Sequence, residues 1–183
     1  MMLRTTNNIP GDTLVIVTGG AFEKTYDKEK GELNFVDRVN GDAACEQIIR
    51  RVRALSVAID VLMYMNSLDM TDENRRELAI RIKESSQNKL VVVHGTDTMV
   101  QSAQFVGAYL LQHANDDGKR VVFTGAMVPH CIDGSDAEFN LAFALGVASQ
   151  VKPGVHIAMN ARVLDSQDAY KDYTDMTLKN SRA

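Results

Sequence analysis

Residues 94–99, HGTDTM, carry two hydroxyls and a carboxylate, with Thr96 and Asp97 at their centre. The apolar run before them, 90–93, is rich in β-branched residues and predicts a strand buried on both faces. The apolar residues that follow recur at helical spacing, so we predict a strand, a tight turn at Gly95 and a helix. Polar groups in such a turn either cap the helix or belong to a site, and one turn alone does not decide between the two.

Four further polar turns follow apolar segments, and the alternation predicts a fold. We predict strands at 14–17, 57–65, 90–93, 120–123 and 155–159, with helices at 42–56, after Thr71, from Met99 and from Asp136. This order is typical of an α/β fold with a doubly wound, mainly parallel sheet and helices on both faces, of the flavodoxin- or Rossmann-like kind. Right-handed crossovers place every strand-to-helix turn at one edge of such a sheet, where ligands bind. One shared rim is therefore predicted for the turns at 18–21, 66–71, 94–98, 124–129 and 160–165.

Composition excludes several classes of function. The chain has 183 residues, 45% hydrophobic and 24% charged, which suits a single domain over 1–183. A net charge of −4 with scattered basic residues provides no surface for nucleic acid. No run reaches the roughly 18 apolar residues of a membrane span, and the N-terminus has no apolar signal core. That N-terminus predicts a cytoplasmic location, and because Cys45 and Cys131 lie far apart, we expect reduced thiols there.

The residues at the predicted rim favour hydroxyl chemistry on a small polar substrate. The turn at 18–20 lacks the third glycine of a dinucleotide loop and the lysine of a phosphate loop, which disfavours nucleotide binding. No cluster of ligands has metal spacing, and we predict neither a metal nor a cofactor. His94 is the one histidine in a plausible position for a base. An amide is the natural candidate substrate, because backbone N–H groups of glycine-rich turns can stabilise a tetrahedral oxyanion.

Other segments have more than one interpretation. Residues 23–41 are charged, with a hairpin predicted around Lys30 and Gly31, and they form either a flap or a surface loop. The glycines at 19–20 either allow close approach of the backbone to a ligand or simply form a turn. Residues 160–175 are polar and predicted to be irregular.

Six motifs, in order along the chain, resemble the bacterial-type L-asparaginase family. They are TGGAF (18–22), SLDMTD (67–72), HGTDTM (94–99), TGAMVP (124–129), DAEFNL (136–141) and MNARVLDSQDAYK (159–171). Full-length members carry a second, C-terminal domain, whereas we expect this protein to be a short, single-domain member, to which its sequence is most similar. The resemblance implies hydrolysis of L-asparagine to L-aspartate and ammonia through a threonine acyl-enzyme. L-Glutamine is the alternative substrate. The resemblance implies no metal and no cofactor.

The resemblance also implies roles for individual residues. Thr96 corresponds to the threonine that the Asp97–Lys171 pair activates, since a lysine beside a hydroxyl can take its proton. Asp97 also holds the α-ammonium group of the substrate, and Ser67 helps to hold the α-carboxylate. The backbone carbonyl of Ala126 lies near the leaving amide. The predicted substrate-binding set is Gly20, Ser67, Gly95, Thr96, Asp97 and Ala126.

Position 21 departs from the family motif. The family reads Thr-Gly-Gly-Thr, with the last threonine as the expected first nucleophile, whereas this sequence has Ala21. A methyl group cannot attack a carbonyl, and loss of a covalent nucleophile can cost several orders of magnitude in rate. Three explanations stay open: an introduced change that traps substrate, a natural binder without turnover, or Thr96 as sole nucleophile. Tyr26 is the candidate for the family's basic tyrosine, although the loop length does not align cleanly.

A non-catalytic amino-acid-binding module on the same scaffold is the alternative function. Turnover that appears only after Ala21→Thr would favour a disabled enzyme, and binding without turnover in both forms would favour the module. We also expect a homodimer or a higher homo-oligomer, because another subunit could cover the rim.

Overall fold

The computed structural model describes residues 11–35, 42–54, 56–113 and 118–181. Its strands are β1 (Thr13–Gly19), β2 (Lys24–Asp27), β3 (Glu32–Phe35), β4 (Val57–Met65), β5 (Lys89–Val93), β6 (Arg120–Thr124), β7 (Gly154–Met159), β8 (Arg162–Asp165), β9 (Ala169–Asp172) and β10 (Thr177–Asn180). Six of these strands form one sheet in the order β4-β1-β5-β6-β7-β8. The first five are parallel, and β8 runs antiparallel to β7 at the edge. The predicted, mainly parallel sheet is confirmed.

Helices cover both faces of this sheet. They are α1 (Ala44–Arg51), α2 (Asp72–Glu84), α3 (Met99–Gln112) and α4 (Ala137–Ala148). One buried cluster contains Leu78 of α2, and the other contains Ile48 of α1. Leu90 and Val92 belong to the first cluster and Val91 to the second, because successive side chains of a strand point to opposite faces. The sequence of a strand buried on both faces is therefore a continuous apolar run, as it is at 90–93.

The strand order reverses at β1. The chain passes from β1 to β4 on one side and later returns to β5 on the other side, and β1 pairs in parallel with both. Open sheets of this kind bind ligands at the carboxyl ends of the strands, where the order reverses. The turns after β1 and β5 therefore lie at the expected position for a site.

Helix α1 is shorter than the predicted helix over 42–56. It begins at Ala44, and the Ala43 N–H donates to the Glu46 carboxylate at 2.9 Å, so Asp42 is not the capping residue. The helix ends at Arg51, and Arg53 then takes a left-handed φ of 56°, which does not continue a helix.

The prediction of irregular structure over 160–175 is wrong. β8 extends the sheet, and β9 and β10 form an antiparallel hairpin. Single buried residues anchor these short strands in the core: Leu164, Ala169 and Leu178. Each of these four-residue strands buries only one residue, which is too little to show strand periodicity in the sequence and explains the error.

The hairpin predicted around Lys30 and Gly31 is confirmed by β2 and β3. The Gly31 N–H closes the turn on the Asp27 carbonyl at 2.8 Å. Residues 36–41 of the predicted flap lie outside the described residues. In the described part of the chain, no helix is long and apolar enough to cross a bilayer.

Candidate functional site

The turns after β1 and β5 touch at the reversal of strand order. Gly20 has φ 78° and ψ −175°, a backbone conformation that favours glycine, and its N–H donates to the Met65 carbonyl at 2.9 Å. A Cβ on Gly20 would lie 2.4 Å from Gly95 Cα, so a side chain does not fit here. This contact brings Ala21 and Thr96, the next residue of each turn, to the same part of the rim.

The amine of Lys171 joins this rim from β9. Its Nζ donates to Thr96 Oγ1 at 2.9 Å and to Asp97 Oδ1 at 2.5 Å. The side chain of Lys171 is only 5% exposed, whereas that of Asp97 is 38% exposed. The amine is therefore held beneath the rim against a hydroxyl and a carboxylate, while Asp97 stays accessible to a ligand. The structure brings these three predicted residues together.

Ser67 lies on the other side of Gly95. It begins the 3₁₀ turn Ser67–Asp69 after β4 and is 4% exposed. A Cβ on Gly95 would lie 2.7 Å from both Cβ and Oγ of Ser67, so the serine packs directly against the turn. The Ser67 carbonyl accepts the hydroxyl hydrogen of Thr98 at 2.7 Å. Ser67 is thus held at the same rim as Thr96.

Ala21 and Tyr26 have different surroundings. Ala21 begins the 3₁₀ turn Ala21–Glu23 and is half-buried at the rim. Tyr26 lies on β2 and is exposed, with its hydroxyl over the hairpin turn, 3.9 Å from where a Cβ on Gly31 would be. The structure therefore places Tyr26 on the hairpin, away from the contacts of the Lys171 amine, and its role as a base stays a prediction.

Glu23 is a buried carboxylate near the site that sequence reasoning missed. Its two oxygens accept the backbone N–H groups of Ala44 at 2.7 Å and Cys45 at 3.1 Å, at the start of α1. Burial raises the pKa of Glu23, although these hydrogen bonds oppose the effect. Burial also raises the pKa of the Cys45 thiol well above its usual value, with the Glu23 charge as a further cause. The carboxylate thus ties the turn that contains Ala21 to α1. The sequence signal for this contact was an acidic residue, Glu23, two positions after the family's nucleophile position.

The turn that contains Ala126 is held by the start of α4. Asp136 accepts the backbone N–H groups of residues 127 and 128 at 3.0 and 3.1 Å. Asn140 donates to the Gly125 carbonyl at 2.9 Å and to Asp136 at 2.8 Å. Ala126 itself is 2% exposed. Two side chains of the DAEFNL motif therefore fix the backbone of the TGAMVP motif.

His94 is not in a position to act as a base, which corrects the interpretation from the sequence. The ring is fully buried, with Nδ1 2.7 Å from the Gly95 carbonyl and Nε2 3.1 Å from Met70 Sδ. Burial lowers the pKa of His94 from 6.5 to about 4. The histidine therefore stays neutral at pH 7, and its ring packs beneath the turn at Gly95.

Two threonine hydroxyls of the predicted rim bind strand ends instead of facing a ligand. Thr18 donates to the Val93 carbonyl at 2.9 Å, and Thr124 donates to the Ala158 carbonyl at 2.8 Å. Both threonines are buried. The hydroxyls thus join β1 to β5 and β6 to β7, just below the turns.

The remaining groups at the rim suit acyl transfer. They are the hydroxyl of Thr96, the amine of Lys171, the carboxylate of Asp97 and the backbone of the glycine turns, and these are the parts of an activated hydroxyl with an oxyanion site. Among residues 11–35, 42–54, 56–113 and 118–181, no group of three or more His, Cys, Asp and Glu side chains could hold a metal ion.

Comparisons with known proteins agree on one family. The model of the asparaginase N-terminal domain matches residues 12–178. The probable periplasmic L-asparaginase of Haemophilus influenzae is 29% identical over an alignment of 165 residues that covers 87% of this chain and 46% of that protein. L-asparaginase 2 of Escherichia coli is 28% identical over 165 residues, with the same shares of 87% and 46%. The chain thus spans about half the length of these curated relatives.

A solved structure gives the same result for the fold. The crystal structure of L-asparaginase I from Vibrio cholerae superposes with a TM-score of 0.72 at 22% identity. The match covers 93% of this chain and 51% of that chain. The two proteins therefore share the α/β fold over nearly the full length of this chain.

Proposed function

Because the chain belongs to the asparaginase family, which it matches through the N-terminal domain, we propose that it hydrolyses the side-chain amide of L-asparagine to L-aspartate and ammonia. The observation that carries this proposal is the contact of the Lys171 amine with both Thr96 and Asp97. The names of the two curated relatives, both asparaginases, support an amidohydrolase over an amino-acid-binding module.

The proposed reaction passes through an ester of a threonine. The hydroxyl oxygen of Thr96 bonds to the side-chain carbonyl carbon of asparagine while its proton passes to the Lys171 amine, which in turn gives a proton to the Asp97 carboxylate. Backbone N–H groups of the glycine turns stabilise the resulting oxyanion. The C–N bond then breaks, the nitrogen takes the proton back from Asp97 through Lys171 and leaves as ammonia, and water hydrolyses the ester to release L-aspartate.

Groups around Thr96 orient the substrate in this proposal. The exposed carboxylate of Asp97 holds the α-ammonium group, and Ser67 contributes to holding the α-carboxylate. The carbonyl of Ala126 accepts a hydrogen bond from the leaving amide. The proposal is supported by the packing of Ser67 against Gly95, which puts the serine beside the Thr96 turn. Positions fixed by backbone contacts suit this role, because catalysis depends on accurate orientation.

Ala21 is proposed to limit the rate of this reaction. Its backbone lies on the same part of the rim as Thr96, but its methyl group has no oxygen to attack with. The hydroxyl of Thr96, which the Lys171 amine contacts, then acts as a slow nucleophile in this chain. A hydroxyl at position 21 would supply the family's first nucleophile.

The test compares the unchanged chain with Ala21→Thr and Ala21→Val, because valine has the shape of threonine without its hydroxyl. We expect ammonia release from L-asparagine to rise by a factor on the order of 100 or more in Ala21→Thr. Ala21→Val should stay at the level of the unchanged chain. Lys171→Met, added to Ala21→Thr, should abolish the gain.

Calorimetry with L-asparagine completes this experiment. Binding without turnover in all three chains would favour the amino-acid-binding module. Absence of both binding and turnover in Ala21→Thr would refute the proposed function. The same assay with L-glutamine determines which amide is preferred.

Two further properties belong to this proposal. We propose a homodimer or a higher homo-oligomer, since Asp97 and the half-buried Ala21 leave the rim open to a second subunit, and light scattering at micromolar concentration tests this. We also propose a cytoplasmic location, which the free thiols of Cys45 and Cys131 support. Cell fractionation tests the location.

A further inference from the structure

Tyr173 contacts the amine of the candidate site, although no sequence motif pointed to it. Lys171 Nζ lies 5.1 Å from the centre of the Tyr173 ring. This distance is within the range in which an aromatic face attracts an ammonium group. The tyrosine itself is 65% exposed. A largely solvent-facing ring thus covers an amine whose own side chain is only 5% exposed.

The ring completes the surroundings of the Lys171 amine. Thr96 and Asp97 contact the amine from the turn after β5, at 2.9 and 2.5 Å. Tyr173, one residue after β9, adds its ring as a third neighbour of the same amine, at 5.1 Å from the ring centre. Lysine has a flexible four-carbon stem with three rotatable donors, so contacts with two oxygens alone allow it to move. A third contact from the ring restricts that movement.

The turn that contains Tyr173 is itself fixed. Lys179 Nζ lies 2.7 Å from Asp172 and 2.6 Å from Asp175, on either side of the tyrosine. Asp172 also accepts the Thr174 N–H at 2.8 Å. Hydrogen bonds from Lys179 hold the pKa of both carboxyls below their usual range. The hairpin therefore presents the ring from a stable backbone.

We infer that Tyr173 is a positioning residue whose aromatic face, and not its hydroxyl, holds the Lys171 amine against Thr96 and Asp97. The importance of this for turnover rests on the proposed function, but the contact itself does not. The competing role is that of its hydroxyl as a proton acceptor, the role that the resemblance predicts for Tyr26. The two roles predict opposite results for Tyr173→Phe, because phenylalanine keeps the aromatic face and lacks the hydroxyl.

The first experiment measures the contact without any need for turnover. The chain and its variants Tyr173→Phe and Tyr173→Leu are treated with a limiting amount of an amine-acylating ester, and the rate of Lys171 acylation is read from peptide mass spectra. We expect Tyr173→Leu to raise this rate about two- to fivefold, the change that corresponds to an exposed cation–π contact. Tyr173→Phe should match the unchanged chain.

Tyr170→Leu is the matched control, because Tyr170 is also an exposed tyrosine and lies next to Lys171 on β9. It should leave the acylation rate unchanged. An unchanged rate in Tyr173→Leu, or an equal increase in Tyr170→Leu, would overturn the inference.

The second experiment adds the same substitutions to Ala21→Thr and measures asparagine hydrolysis. Tyr173→Leu should lower kcat several-fold with little change in KM, since the ring acts on the amine and not on the substrate. Tyr173→Phe should retain kcat, and a loss equal to that of Tyr173→Leu would assign the role to the hydroxyl and overturn the inference. If Ala21→Thr itself has no turnover, the proposed function fails while the acylation result still decides the role of the ring.

Discussion

His94 makes the stability of this protein depend on pH in a defined direction. The folded protein holds the ring neutral, with a pKa of about 4, whereas 6.5 is the ordinary value expected in the unfolded chain. Below pH 6.5 the unfolded state therefore binds a proton that the folded state does not bind. The contribution of His94 to the free energy of unfolding therefore falls as the pH decreases from about 6.5 to about 4, and this contribution levels off below that range.

The size of the effect follows from the two pKa values. At about 1.4 kcal/mol per pKa unit, the fall of the His94 pKa from 6.5 to about 4 corresponds to about 3 kcal/mol over the whole range. Between pH 7.5 and pH 5 the loss is about 2 kcal/mol, because pH 5 still lies above the folded pKa. This loss is a large part of the stability of an ordinary domain.

Urea unfolding at pH 7.5 and at pH 5 measures the effect, with His94→Gln as the test variant. Other titrating groups, including Glu23, are common to both proteins, so the difference between the two pH-dependent losses isolates His94. We expect the unchanged chain to lose about 2 kcal/mol more than His94→Gln. His113→Gln, at an exposed position, is the control and should lose as much as the unchanged chain. An equal loss in the unchanged chain and in His94→Gln would refute the reasoning.

Two predictions concern the turns at the rim. Gly20→Ala should lower the free energy of unfolding by more than about 2 kcal/mol and abolish L-asparagine binding, because the new Cβ meets Gly95 Cα at 2.4 Å. Gly118→Ala is the control, since Gly118 also has a positive φ but nothing lies within 4 Å of its Cβ position, and it should cost less and spare binding. Asp136→Ala should cost about 3 kcal/mol in urea unfolding, since it removes a carboxylate that accepts several N–H groups. Asp136→Asn should cost about half of that because it retains one acceptor oxygen, and equal costs would contradict this account.

The five parallel strands and the helices were predictable because their signals are local. Continuous apolar runs such as 90–93 indicated the buried strands, and Thr71 marked the start of α2, where it caps the helix. The rim followed from topology, since parallel strands joined by right-handed crossovers end at one edge. These inferences need no knowledge of distant contacts.

The complete site was not predictable from local signals. Lys171 is 75 positions away from Thr96, and on its own a lysine in a polar segment is more often a solvated surface residue. Only the family resemblance connected the two residues. His94 was misjudged because its burial depends on packing of Met70 and Gly95, and Tyr173 was missed because a cation–π contact has no sequence signature. Long-range packing determines each of these features.

The same distinction explains how the site tolerates Ala21. The contacts that shape the turn after β1 come from its neighbours: the Gly20 N–H bonds to Met65, Gly20 packs on Gly95, and the Glu23 carboxylate binds the start of α1. None of these contacts uses the side chain at position 21, which is half-buried at the rim. Threonine and valine should therefore fit this position with similar effects on stability. A difference in ammonia release between Ala21→Thr and Ala21→Val then reports the chemistry of one hydroxyl and not a change in the scaffold.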